Sequence, residues 1–179
     1  RLRDADYVVV SFGKSGRTWL RVMLSRVLQL RFGMPESMLL TFDNFHRRDP
    51  AVPRIFFTHD KYLKDVTGSG DDKSLYHPKK VVLLVRDPAD VAVSQYYQWK
   101  FRMTARKKRI NEYPIGDVSL FDFVMSPKVG LPKIIAFMNS WARDAGRIRN
   151  LLVVRYEDMK TDTTSTLQRI VDFMNIPAT

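Results

Sequence analysis

Residues 81–85 read Val-Val-Leu-Leu-Val between Lys80 and Arg86, a strand-length run with no polar face. A half-exposed strand alternates apolar and polar residues, so a run apolar on both sides belongs in the middle of a parallel sheet covered by helices on each face. Three other segments join it. Tyr7 to Phe12 is β-branched and aromatic, Arg54 to His59 reads as a short buried strand, and Leu151 to Arg155 as the last. Between them apolar residues recur at helical spacing, as in Leu20, Met23, Leu24, Val27 and Leu28. Asp87-Pro88-Ala89-Asp90 opens a second helix, running to about Lys100, with an Asp cap, a first-turn Pro and an acid. Further helices are predicted at Leu120 to Met125, Pro132 to Ile148 and Thr161 to Met174. Strands alternating with helices predict an α/β fold, a central parallel sheet of about four to five strands flanked by helices in three layers. Residues 1–179 are read as a single domain.

Composition narrows the class. The residues are 45% hydrophobic, and no run approaches the roughly 18–20 apolar residues of a membrane span. The opening Arg-Leu-Arg-Asp does not resemble a signal peptide. With no cysteine the chain has no disulfide, no thiol chemistry and no Cys-based metal site, which fits a reducing, cytoplasmic setting. A net charge of +11 favours anionic partners, whether nucleic acid, acidic lipid, polyanionic sugar or a phosphorylated cofactor. Because the chain starts at Arg1 and stops soon after a helix, an extension beyond both ends is expected.

The turn Ser11-Phe12-Gly13-Lys14-Ser15-Gly16-Arg17-Thr18-Trp19 joins the first strand to the first helix. Such a turn gathers backbone N–H groups at the positive end of a helix dipole, and Lys14 adds a full charge, so it suits a phosphate-like group. It is not a Walker A loop, since the first glycine of that pattern would fall on Val8. The long apolar strand at residues 80–86 ends in Arg86 rather than a metal-binding carboxylate, which points to anion binding without a metal. Ser94 shares a helix face with positions 87 and 91 and can look back at Arg86, giving a second phosphate site. The plainer alternatives are a tight turn with a solvated Lys14, and an Arg86 that pairs with Asp87 or Asp90. Trp19 can stack on a base or pack in the core. His59 follows a buried strand, where α/β sheets form their ligand crevice, and a neutral imidazole there can take a proton from a hydroxyl. His46 and His77 lie in loop-like sequence and read as solvated.

Three separated segments together resemble the sulfotransferases that use 3′-phosphoadenosine 5′-phosphosulfate (PAPS), with a P-loop-like sandwich. Residues 11–20 resemble the family's phosphosulfate loop, residues 85–97 its 3′-phosphate strand and helix, and Val154-Arg-Tyr-Glu-Asp-Met-Lys160 its Y-E-D-M-K segment. The resemblance implies that Lys14, Ser15, Gly16, Arg17 and Thr18 cradle the 5′-phosphosulfate with Trp19 near the adenine. It implies that Arg86 and Ser94 hold the 3′-phosphate, that Tyr156 lines the adenine side, and that Glu157 and Asp158 brace the turn. Thr58-His59 takes the place of the family's T-H pair, making His59 the general base, with Lys14 meeting charge on the leaving oxygen. Two departures stand out. Arg17 replaces a usual threonine, and the family's later R-K-G-x-x-G segment would lie beyond Thr179.

The resemblance implies sulfuryl transfer from PAPS to a hydroxyl or amine, leaving adenosine 3′,5′-bisphosphate (PAP), with no metal. The partner expected is a small-molecule or carbohydrate acceptor and not nucleic acid. The rival readings are a basic nucleic-acid or polyanion binding protein on an α/β scaffold, and a P-loop kinase. Residues 100–109 hold six cations in ten positions and read as a mobile solvated loop or as a docking strip for an anionic acceptor. The acceptor pocket is expected from Gly33 to Pro53, Asp60 to Pro78 and Phe101 to Gly130, with Phe42, Phe45, Tyr96, Tyr97 and Trp99 as candidate lining aromatics.

Overall fold

The computed structural model describes residues 1–60 and 72–177. Among these the sheet has four parallel strands, β1 (Tyr7–Ser11), β2 (Ile55–Thr58), β3 (Lys80–Val85) and β4 (Asn150–Arg155), in the spatial order β2-β1-β3-β4. Val8 of β1 faces Phe56 on one side and Val81 on the other, and Val82 of β3 faces Leu152. The central strands are those with no polar face, and Val8, Val9, Val10, Val82 and Leu84 are completely buried. The flanking helices are α1 (Arg17–Phe32), α2 (Pro88–Arg102), α3 (Ala105–Ile110), α4 (Leu120–Met125), α5 (Leu131–Asp144), α6 (Tyr156–Thr161) and α7 (Thr163–Phe173).

Strand alternation divides the core between the two faces of the sheet. Tyr7, Val9, Val82 and Leu84 pack with Leu20, Leu24 and Leu28 of α1 and Ile170 and Val171 of α7. Val8, Val10, Val81 and Leu83 pack with Val91 and Ala92 of α2 and Ile134, Phe137 and Trp141 of α5. A third cluster of Tyr96, Trp99, Tyr113, Phe123 and Val129 fastens α2 to α4 away from the sheet. This places Tyr96 and Trp99 in packing, while Phe45 is buried in the α1 face. No described helix is long and apolar enough to cross a membrane.

Several boundaries differ from those the sequence predicts, each for a local reason. Asp87 caps α2 as expected, accepting from the N–H groups of Ala89 and Asp90, but the helix runs on to Arg102. The basic strip is not an extended loop. Thr104 Oγ1 accepts from the Lys107 N–H and starts α3, whose Ala, Arg and Lys residues are good helix formers. The last helix starts two residues later than predicted, because Asp162 caps α7 at Ser165 N–H, and the Tyr-Glu-Asp-Met-Lys segment before it forms an additional short helix, α6. Residues 33–53 do form a long connection without helix or strand, yet it is tied down. Ser25 Oγ accepts from Leu40 N–H at 2.9 Å and Gln29 Nε2 donates to Met38 O at 2.8 Å. Most of the predicted excursion from Asp60 to Pro78, including Gly68 to Asp71, lies outside the described residues.

The α4–α5 junction depends on one close approach. A Cβ on Gly130 would lie 2.2 Å from Val124 O and 2.4 Å from Phe123 O, both main-chain atoms that cannot swing aside. Gly130→Ala is expected to cost roughly 1–3 kcal/mol, read as a lower denaturant midpoint. Gly146→Ala, whose Cβ would meet nothing within 4 Å, is expected to shift stability by less than about 0.5 kcal/mol.

Candidate active site

From β1 the chain passes to β2 on one side and then to β3 on the other, so the loops leaving β1 and β3 diverge and open a crevice. A cavity of about 1000 Å³ fills it. Lys14, Gly16, Arg17, Thr18 and Trp19 line it from the β1 turn and the start of α1, His59 from just after β2, Arg86 from just after β3, Ser94 from α2, and Tyr156 from the start of α6. Ser15 is the exception. Its side chain is buried and borders a separate small crevice with Phe12, Val91 and Ile134, so any contact it gives a ligand comes from its main chain.

The turn has the backbone expected of an anion cradle. Lys14 has φ 69° and Gly16 φ 92°, both left-handed. Gly16 caps α1 with no side-chain hydrogen bond and with no acid in the first turn, so the helix dipole is left uncompensated there. A Cβ on Gly16 would come 2.6 Å from Tyr156 Cδ2, a second reason for glycine. Lys14 Nζ donates to Gln98 Oε1 at 3.2 Å. Burial first, then the charges of Arg102 and Arg86, hold the Lys14 ammonium below the ordinary lysine range.

Arg86 is fixed from several directions. Nη1 donates to Lys14 O and Nη2 to Asp90 Oδ2, each at 3.2 Å, and the guanidinium lies 4.3 Å over the Tyr156 ring. The pairing with Asp90 weighed above is thus present, but Asp90 is well exposed, and such pairs are weak. Arg86 Nε is buried with no hydrogen-bond partner among the described residues, an unsatisfied donor at the end of β3. The Tyr156 ring meets Trp19 edge-on at 5.9 Å. Trp19 also packs against the α1 core, so it lines the cavity and serves the packing at once. Glu157 Oε1 accepts from the Asp87 N–H at 2.8 Å, bracing the start of α2 against β4.

His59 Nδ1 lies 2.9 Å from Ser11 O. A carbonyl can only accept, so Nδ1 carries the proton and, in the neutral ring, Nε2 holds the lone pair. The other two histidines are not simply solvated. His46 Nδ1 bonds Val52 O at 2.8 Å, and His77 Nε2 bonds Asp144 Oδ2 at 2.9 Å.

These features sit within a chain whose relatives are known. The family described as "Sulfotransferase domain" matches residues 4–179. The chain belongs to the sulfotransferase family. It is 26% identical over 197 residues to cytosolic sulfotransferase 7 of Arabidopsis thaliana, covering 99% of this chain and 58% of that protein. It is 33% identical over 191 residues to sulfotransferase 2A6 of Rattus norvegicus, covering 97% and 60%. Among solved structures it resembles mouse sulfotransferase SULT7A1 complexed with PAP, with a TM-score of 0.62, 22% identity and coverage of 99% and 61%. The sulfotransferase domain from the curacin biosynthetic pathway gives a TM-score of 0.53 at 14% identity, covering 98% and 75%. The chain therefore spans about three fifths of the length of the named relatives it matches.

Two parts of this site carry no local sequence signal. Gln95, Gln98, Met103, Lys107, Ile110 and Asn111 line the cavity from the end of α2 and from α3. No residue of the 33–53 connection does. The other is a polar cluster directly after His59. Asp60, at φ 58°, is fully buried, and its carboxylate accepts from Lys73 Nζ, from Tyr76 OH at 3.0 Å and from Trp141 Nε1 at 3.1 Å. Its N–H donates to Thr58 Oγ1 at 3.1 Å, so the turn carrying His59 is clamped at both ends. Lys73 is also fully buried and sits 5.2 Å over the Trp141 ring.

Removing one partner of a buried ion pair strands the other. Asp60→Ala is expected to destabilise the protein by about 3–5 kcal/mol. The double substitution Asp60→Asn with Lys73→Met, which removes both charges, is expected to recover most of that loss in chemical denaturation.

Proposed function

We propose that the protein is a PAPS-dependent sulfotransferase that moves a sulfuryl group to a hydroxyl or amine of an acceptor. The observation that carries this reading is one cavity bounded by the α1 terminus, which has no side-chain cap, with Lys14, by Arg86 and Ser94, and by His59 with its tautomer set. The residues suit the nucleotide. Arg86 and Ser94 would hold the 3′-phosphate, the main chain of Ser15 to Thr18 with Lys14 and Arg17 the 5′-phosphosulfate, and Trp19 and Tyr156 the adenine side. The mouse relative named above was solved with PAP, which supports the same assignment.

PAPS would supply the activated sulfuryl group. His59 Nε2 takes the proton of the acceptor hydroxyl as the oxygen–sulfur bond forms. Lys14 Nζ and the N–H groups of the α1 terminus meet the negative charge that collects on the leaving phosphate oxygen. These groups were in place before reaction, so little reorganisation is required. Lys14, Arg17 and Arg86 provide the positive charge that a divalent ion provides at Walker-type sites, and the reading gives no step to a metal.

Calorimetric titration with PAP in the presence of a chelator is expected to show specific binding, weakened about tenfold or more by Arg86→Ala. Binding of PAP no tighter than of other polyanions would move the reading to a general polyanion-binding protein. PAP binding requires the charged form of Lys14, whose pKa is lowered by burial and then by Arg102 and Arg86. Affinity is therefore expected to fall as pH rises, starting below the range in which an ordinary lysine deprotonates. His59→Ala is expected to lower kcat by roughly 10²–10⁴-fold while leaving PAP affinity unchanged. Near-normal turnover in that variant would place the base elsewhere.

A further inference from the structure

Helix α2 runs along the cavity wall in an order that can be read residue by residue. It begins beside Arg86, passes Ser94, and one turn later reaches Gln98, which accepts from Lys14 Nζ. Arg102 ends it, close enough to Lys14 to help lower the lysine's pKa. Met103 then turns the chain into α3, which presents Lys107, Ile110 and Asn111 to the same cavity. Those three positions share one helical face, at i, i+3 and i+4. Starting from the 3′-phosphate end at Arg86, α3 thus lies beyond the phosphosulfate lysine.

In-line transfer requires the acceptor to approach from the side of the sulfur away from the leaving oxygen. With the nucleotide placed as proposed above, that side is the one walled by α3. The wall is cationic, and among the described residues no carboxylate lines the cavity beside Lys107. Two other cations of the strip have structural duties, since Lys100 pairs with Asp117 and Lys108 lies 4.8 Å over the Trp99 ring. Lys107, itself exposed, is the cation of α3 that lines the cavity.

We propose that α3 selects the acceptor and that Lys107 binds an anionic group, a carboxylate or sulfate, carried by the acceptor near the hydroxyl that is sulfated. Met103 and Ile110 contact its apolar part, and Gln98 and Asn111 offer hydrogen bonds beside the anion. This rests on the PAPS reading of the same cavity. Lys107 is suited to test it because its main-chain N–H, not its side chain, is what Thr104 caps.

The experiment uses two matched acceptor pairs that differ in charge more than in shape, 4-hydroxyphenylacetate with 4-hydroxyphenylacetamide, and 4-nitrophenyl glucuronide with 4-nitrophenyl glucoside. The acid is expected to be sulfated with a kcat/KM about tenfold or more above its neutral partner. Lys107→Gln should erase that preference through KM, leaving PAP affinity and turnover of the neutral acceptor unchanged. Arg109→Gln, an exposed α3 cation outside the cavity wall, should change neither. Equal use of both members, turnover of neither acid, or a Lys107→Gln effect on PAP affinity in place of acceptor KM would overturn the proposal. Failure of the protein to bind PAP at all would instead overturn the nucleotide reading on which it rests.

Discussion

The Tyr156 ring lies so close to Gly16 that a single added carbon would come within 2.6 Å, and the rest of the site is arranged on that contact. One ring holds three loops. The guanidinium of Arg86, at the end of β3, lies over it, and Trp19, at the start of α1, meets it edge-on. Glu157, the next residue, receives the Asp87 N–H, so β4 also sets where α2 begins. Because such packing is at contact distance, none of these groups shifts without the others. The anion-facing groups therefore keep their spacing through the packing of an aromatic side chain.

This arrangement stores unfavourable energy. Lys14, Arg86 and Lys107 line a cavity to which the described residues bring no carboxylate, and Lys14 has a backbone conformation that non-glycine residues rarely adopt. Stability comes from elsewhere. The two faces of β1 and β3 are buried against α1 and α7 on one side and α2 and α5 on the other. The Asp60–Lys73 pair, with Tyr76 and Trp141, pins the turn after β2. Cations gathered in a ligand-free cavity repel one another and gain most when an anion enters, the usual trade between stability and function.

The division of labour along the sheet follows from strand order. β1, β3 and β4 present the groups suited to a nucleotide, while β2, on the far side of β1, presents His59. Helix α3 then closes the remaining wall. A run of basic residues that looks merely solvated becomes a lining because the aromatic cluster around Trp99 and Phe123 holds α2 and α4 together beneath it.

Features that depend on neighbours in the chain were legible in the sequence. The buried strands showed themselves because burial on both faces leaves no room for polar residues. The strand-to-helix turn at residues 11–19 did so because its glycines act on their own backbone, and the start of α2 because Asp87 caps residues two and three positions away. Features that depend on distant neighbours were not legible. Asp60 is bonded to residues 13, 16 and 81 positions further on, and nothing local marks Lys73 for complete burial. The same holds for Lys107, one cation among six in its run, and for Ser15, whose side chain turns away from the cavity. The sequence by itself determined the sheet, its helical layers and the turn from β1 into α1, because backbone geometry and hydrophobic period are local. Only the tertiary structure decided which charges face the cavity and which are buried in pairs, because burial of a charge depends on partners that the chain brings together from afar.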